Sequence, residues 1–156
     1  MGQRYDIKCV ACVYKFTVNK GIGMMYWPEN VFYGYCDDPP LLLSLVKSKR
    51  IREAVFALLS NGATPDSDYG HELYSCPKCN RLANRFYFKL ASPAGGYEPD
   101  YHCSECKTEL ERAALNREDS QIEVQYRDRK ELGWKCPECG CKKLEYDLNG
   151  EFLMWD

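Results

Sequence analysis

Four Cys-x-x-Cys pairs constrain this chain more than any other feature. Cys9/Cys12, Cys76/Cys79, Cys103/Cys106 and Cys136/Cys139 account for eight of the ten cysteines in 156 residues. Paired cysteines in a reducing compartment bind metal or do redox chemistry more often than they form disulfides. The reducing setting is itself an expectation. The stretch Met1–Asp6 lacks the apolar run of a signal peptide, and Asp6 stands where a myristoylation motif has Ser or Thr. No run of about 18 apolar residues occurs, so no membrane-spanning helix is expected. A cytoplasmic location follows as the default.

A structural zinc site needs four ligands at tetrahedral corners, and a Cys-x-x-Cys turn can present two thiolates to one ion. Two such turns close the shell. The thiolate–metal bonds then stabilise a unit too small to bury enough apolar surface. Eight thiols therefore predict two Zn²⁺ ions. Cys76/Cys79 and Cys103/Cys106 are separated by 23 residues that read as a strand and a Gly/Pro turn, the content of a zinc ribbon. The remaining pairs, Cys9/Cys12 and Cys136/Cys139, would then meet across 123 residues. The spacing favours this nested pairing. The alternative is sequential, Cys9/Cys12 with Cys76/Cys79 and Cys103/Cys106 with Cys136/Cys139. Iron in one site is the rival metal, because Cys136-Pro137-Glu138-Cys139-Gly140 resembles a rubredoxin knuckle and such knuckles serve both metals.

Cys36 and Cys141 are left over. Cys36 reads as a small buried apolar residue, and Cys141 as a bystander two residues beyond a ligand. The two histidines, His71 and His102, form no cluster. A catalytic zinc site with an open water position, which uses His or carboxylate, is not expected. No Ser/His/Asp set, phosphate loop or paired-carboxylate motif stands out, so the chain does not read as an enzyme.

The formal net charge is −2. With eight thiolates on two Zn²⁺ ions it becomes about −6, which argues against binding nucleic acid by bulk attraction. Two basic runs, 47–52 and 127–130, read as solvated surface.

Along the chain, Tyr14, Phe16 and Val18 alternate as a strand. The aromatic stretch 22–35 reads as a hydrophobic arm over a small core. Asp37-Asp38-Pro39-Pro40 resembles a helix start, and Asn61-Gly62 a stop. Ile51, Ala54, Val55, Leu58 and Leu59 form one helical stripe, while Leu41, Leu42, Leu45 and Val46 point elsewhere. This predicts either two helices broken near Lys47–Arg50 or one helix with two partners. Phe86, Phe88 and Leu90 alternate as a strand, and so do Ile122, Val124 and Tyr126. A short helix is expected over 108–118, and a C-terminal hairpin turning at Asn149-Gly150. The fold class is thus a small α+β protein of two zinc-ribbon units, with short antiparallel strands and zinc knuckles. Residues 1–36 and 120–156 make the terminal unit, 37–70 a helical insert and 71–119 the central unit.

The segment Tyr5-x-x-Lys8-Cys9-x-x-Cys12-x-x-x-Phe16, with Gly21-x-Gly23-Met24-x-Tyr26 after it, resembles a family of uncharacterised bacterial zinc-ribbon proteins. Leu73-Tyr74-Ser75-Cys76-Pro77-Lys78-Cys79 and Lys135-Cys136-Pro137-Glu138-Cys139-Gly140 are similar to later segments of that family. The resemblance covers about a third of the chain, and Cys103/Cys106 is less general in the family. It implies cytoplasmic zinc binding and no particular activity.

The leading functional expectation is a non-catalytic, zinc-binding interaction module with a protein partner. One alternative is a redox switch in which oxidised thiolates release zinc. Another is nucleic-acid binding through Arg85, Tyr87 and Lys89, which period two places on one face of a strand.

Overall fold

The computed structural model describes residues 2–128, 133–147 and the backbone of 153–155. Its framework is an antiparallel sheet. β1 (Gly2–Cys9) and β2 (Lys15–Lys20) form an N-terminal hairpin over the first cysteine turn. β4 (Gly70–Ser75) and β5 (Leu82–Tyr87) form a second hairpin over the Cys76/Cys79 turn. β7 (Glu111–Glu118) and β8 (Gln121–Tyr126) form a third, and β9 (Lys143–Tyr146) bridges β8 to β1. β3 (Thr64–Pro65) and β6 (Leu90–Ala91) pair separately. β10 (Leu153–Trp155) pairs with β1 at Gly2–Arg4, beyond the stretch that β9 occupies at Ile7–Cys9. The expected hairpin turn at Asn149-Gly150 lies outside the described residues. β9 and β10 both run antiparallel to β1 along successive stretches and do not pair with each other, so the described strands are not the two arms of the expected hairpin.

The sheet order β5-β4-β7-β8-β9-β1-β2 nearly closes on itself. β7 takes only the Tyr74–Ser75 end of one edge of β4. Gly21, just past β2, takes the His71 end of that edge through two backbone hydrogen bonds of 2.9 and 2.8 Å. A Cβ on Gly70 would stand 3.1 Å from the Gly21 carbonyl oxygen, so this close approach favours glycine. The Asn84 side chain adds a second stitch. It accepts from the Asn19 amide at 3.0 Å and donates to the Thr17 carbonyl at 2.7 Å, as a neighbouring strand would.

Alternation along the strands fills the ring with Tyr5, Ile7, Val18, Leu73, Ile122, Val124, Leu144 and Trp134. On the other side of β4 and β5, a second core gathers Phe86, Phe88 and Tyr74 against α1 (Leu42–Leu45) and α2 (Lys49–Ser60). Val31 and Phe32, from a single π-helical turn at Glu29–Tyr33, join it. No helix among the described residues is long and apolar enough to cross a membrane.

The chain is therefore mostly β, with one near-closed sheet where two small ribbon units in an α+β chain were expected. The expected helix over 108–118 is strand β7. Six residue pairs with β8 around the two-residue turn Asp119-Ser120 outweigh a weak helical spacing. The two-helix option holds, with the break at Val46–Ser48 and the stop at Asn61-Gly62. α2 is capped by Ser48, whose side chain accepts from the Ile51 amide. The acidic cap expected ahead of α1 is not made; its N-cap is Leu41, with no side-chain bond. Asp38 precedes Pro39, and the residue before a proline is pushed out of helical geometry.

Trp134 ties the ring together. It is 1% exposed, and its indole N–H donates to the Asn80 carbonyl at 2.7 Å, beside the Cys76/Cys79 turn. Trp134→Ala is expected to lower unfolding free energy by about 3–5 kcal/mol. Trp134→Phe, which keeps most of the packing and loses the hydrogen bond, should cost about 1–3 kcal/mol. Urea unfolding followed by circular dichroism measures both.

Candidate metal centres

Each cysteine turn sits where a strand ends, and backbone geometry sets the thiols together. The amide of the first cysteine donates to the carbonyl five residues on: Cys9 to Tyr14, Cys76 to Arg81, Cys103 to Thr108 and Cys136 to Cys141, at 2.7–2.9 Å. In three turns the residue after the second cysteine also donates back to the first, from Asn80, Lys107 and Gly140. All three have positive φ, at 59°, 61° and 76°. Asn and Gly adopt that conformation readily, so two of the three turns show it in sequence. The first turn departs from the pattern at Val13, which is 98% exposed.

The eight thiols meet in two groups, Cys9/Cys12/Cys136/Cys139 and Cys76/Cys79/Cys103/Cys106. This is the nested arrangement. In the terminal group, the Cys9 and Cys139 sulfurs lie 3.6 Å apart, as do those of Cys12 and Cys136. In the central group, Cys76–Cys106, Cys79–Cys103 and Cys79–Cys106 are 3.4, 3.6 and 3.8 Å apart. Four sulfurs about 2.3 Å from a central ion stand about 3.8 Å from one another. All ten cysteines are free thiols. The donor set and its spacing fit one tetrahedral ion per group, and each group could hold a metal ion.

The thiols' acidities show why a cation suits these groups. Burial pushes the Cys79 thiol up to about 12 and raises Cys9 and Cys76. Hydrogen bonding to the Thr108 hydroxyl and amide draws Cys106 down to about 6. Four crowded thiols do not ionise together unaided. A divalent ion at their centre reverses that balance, because a coordinated thiol is deprotonated. Among the described residues, no His or carboxylate belongs to either group.

The other candidate residues fall outside these groups. The Cys141 sulfur lies 3.8 Å from the Lys143 carbonyl oxygen, and its own carbonyl serves the Cys136 turn. Cys36 is exposed, with φ of 55°, where a buried position was expected. The inner side of its segment is filled by Asn30, Val31 and Phe32 instead. His102 is exposed. His71 packs against Phe86 and Tyr26, and burial lowers its pKa.

Tyr87 is 1% exposed and offers no ring face to a base. The Arg112 guanidinium covers its ring at 4.2 Å, and the Lys89 ammonium lies 5.9 Å from the ring centre. Lys89 also pairs with Glu98 at 3.5 Å, and Arg85 lies 6.0 Å from the Tyr101 ring. Period two put the three residues on one face, but other side chains cover the aromatic member.

Comparison with known proteins finds no family model that matches the chain. No curated protein and no solved structure matches it either.

Replacing one cysteine of either group by serine is expected to lower bound metal from two ions per chain to one. Cys9→Ser and Cys103→Ser are the informative variants, one per group. Cys36→Ser and Cys141→Ser should leave two ions. Elemental analysis of the purified variants gives the count directly.

Proposed function

We propose that this chain is a non-catalytic protein in which two structural Zn²⁺ ions, one in each four-cysteine group, rigidify a scaffold that docks a protein partner. The observation that carries the reading is the ligand set. Two shells of four thiolates leave no coordination position for water or substrate, which is the pattern of structural zinc. The thiolate ligands suit the reducing cytoplasm, the location we propose. The resemblance at the cysteine turns to bacterial zinc-ribbon proteins is consistent with this reading.

The docking surface we favour is the outer side of segment 21–46. Its inner side is core, but Met24, Met25, Trp27, Tyr33 and Tyr35 are exposed. Trp27 and Tyr35 stand edge to face, with ring centres 6.4 Å apart. Aromatic residues and Met are enriched at the centres of interfaces. The segment contains Glu29, Asp37 and Asp38 but no Lys, Arg or His. All three acids are exposed, and none forms an ion pair among the described residues. An apolar surface rimmed by unpaired carboxylates suits a partner with basic residues around an apolar anchor.

The test is affinity purification of the tagged, zinc-loaded protein beside a Trp27→Ala/Tyr35→Ala variant with unchanged metal content. A stoichiometric partner held by the parent and weakened at least about 30-fold in the variant is expected, since central aromatic anchors contribute about 2 kcal/mol or more each. A partner retained equally by both would contradict this surface, and turnover of a substrate by the purified protein would contradict the non-catalytic reading.

A further inference from the structure

The basic run at Lys47–Arg52 has no role in metal binding or in the aromatic arm. In the fold it borders a cleft of about 600 Å³, between the start of α2, the β5 residues Asn84 and Arg85, and the loop Asp100–His102. Small-molecule sites have volumes of about this size. Lys47 and Arg85 both line the cleft, and neither forms an ion pair among the described residues. The carboxylate of the cleft, Asp100, is already neutralised. The Arg50 guanidinium donates to both of its oxygens at 2.8 Å. Arg85 donates one N–H to the Asn84 carbonyl at 2.8 Å, and its guanidinium carbon lies 6.0 Å from the Tyr101 ring centre. Among the described residues, two cations without a carboxylate partner thus line one concavity in a chain that is acidic overall.

The walls fit an organic group beside the charge. Half-buried Leu45 supplies apolar surface at the wall, backed by the buried Ile51 and Tyr101. Tyr101 is fixed by donating its hydroxyl proton to the Phe86 carbonyl. Ser48, the N-cap of α2, also lines the cleft, so the positive end of a 12-residue helix adds to the two side chains.

We propose that this cleft binds a phosphorylated small molecule, with the phosphate held between Lys47 and Arg85 and the organic part against Leu45. Ammonium and guanidinium groups make strong charge-assisted hydrogen bonds to phosphate oxygens. This inference is independent of what docks on the aromatic arm.

Isothermal titration of the full-length, zinc-loaded protein at low salt tests it, with ATP, pyrophosphate and adenosine as probes. One-to-one binding of ATP is expected, displaced by pyrophosphate, with adenosine much weaker. Lys47→Ala and Arg85→Gln should each weaken ATP about tenfold or more. Lys142→Ala, an exposed cation outside the cleft, should change nothing. Lys47 is itself exposed, so its variant should fold normally even if Arg85→Gln does not. Three results would overturn the proposal: no saturable ATP binding, equal weakening by Lys47→Ala and Lys142→Ala, or tighter binding of a single-stranded oligonucleotide that Lys47→Ala weakens as strongly as ATP. The last would assign the cleft to a nucleic-acid backbone instead.

Discussion

The meeting of four thiols from opposite ends of the chain is the constraint on which the rest of this structure depends. Cys9 faces Cys139 across 130 positions, whereas the central group closes over only 24 to 30. The longer closure costs about 1.3 kcal/mol more in chain entropy. That is small beside the roughly 10 kcal/mol or more that a structural zinc ion in this group would contribute to folding. What matters is which segments the closure forces together. β1 ends at Cys9 and lies beside β9, and β9 lies beside β8, so the thiol contact and the sheet ladder support one another. The sheet then needs only Gly21 against His71 to come almost full circle.

This coupling explains why two metal groups sit in one sheet. An isolated hairpin is marginal in water. Here each hairpin shares an edge with another, and Trp134 and Asn84 lock elements that are distant in sequence. The helices occupy the outer side of β4 and β5, where Phe86 and Phe88 would otherwise be exposed. The metal groups lie at strand ends, and the aromatic arm and the basic cleft lie outside the ring.

Much of the candidate metal chemistry was legible because Cys-x-x-Cys is a local signal whose geometry is set within five residues. The nested pairing was inferable from the ribbon-like content between Cys79 and Cys103. The strand assignment of 111–118 was not, because Leu110, Ala113, Ala114 and Arg117 happen to fall at helical spacing. The Asp119-Ser120 turn is the local sign of the hairpin, with Asp119 in the left-handed region. Joining the hairpins into one sheet depends on edge sharing between β4, β7 and Gly21, and no local pattern records that. Tyr87 shows the same limit from another side. Its face followed from period two, but its cover, Arg112, comes from β7. Cys36 is exposed because the turn between Tyr35 and the two prolines outweighs a thiol's usual burial.

The most direct test of this account is anomalous scattering at the zinc edge from crystals of the purified protein. The account predicts two peaks per chain, one within about 2.3 Å of the sulfurs of Cys9, Cys12, Cys136 and Cys139 and the other likewise among Cys76, Cys79, Cys103 and Cys106. A single peak, a peak shared between Cys12 and Cys76, or an ion completed by a nitrogen or oxygen ligand would contradict it.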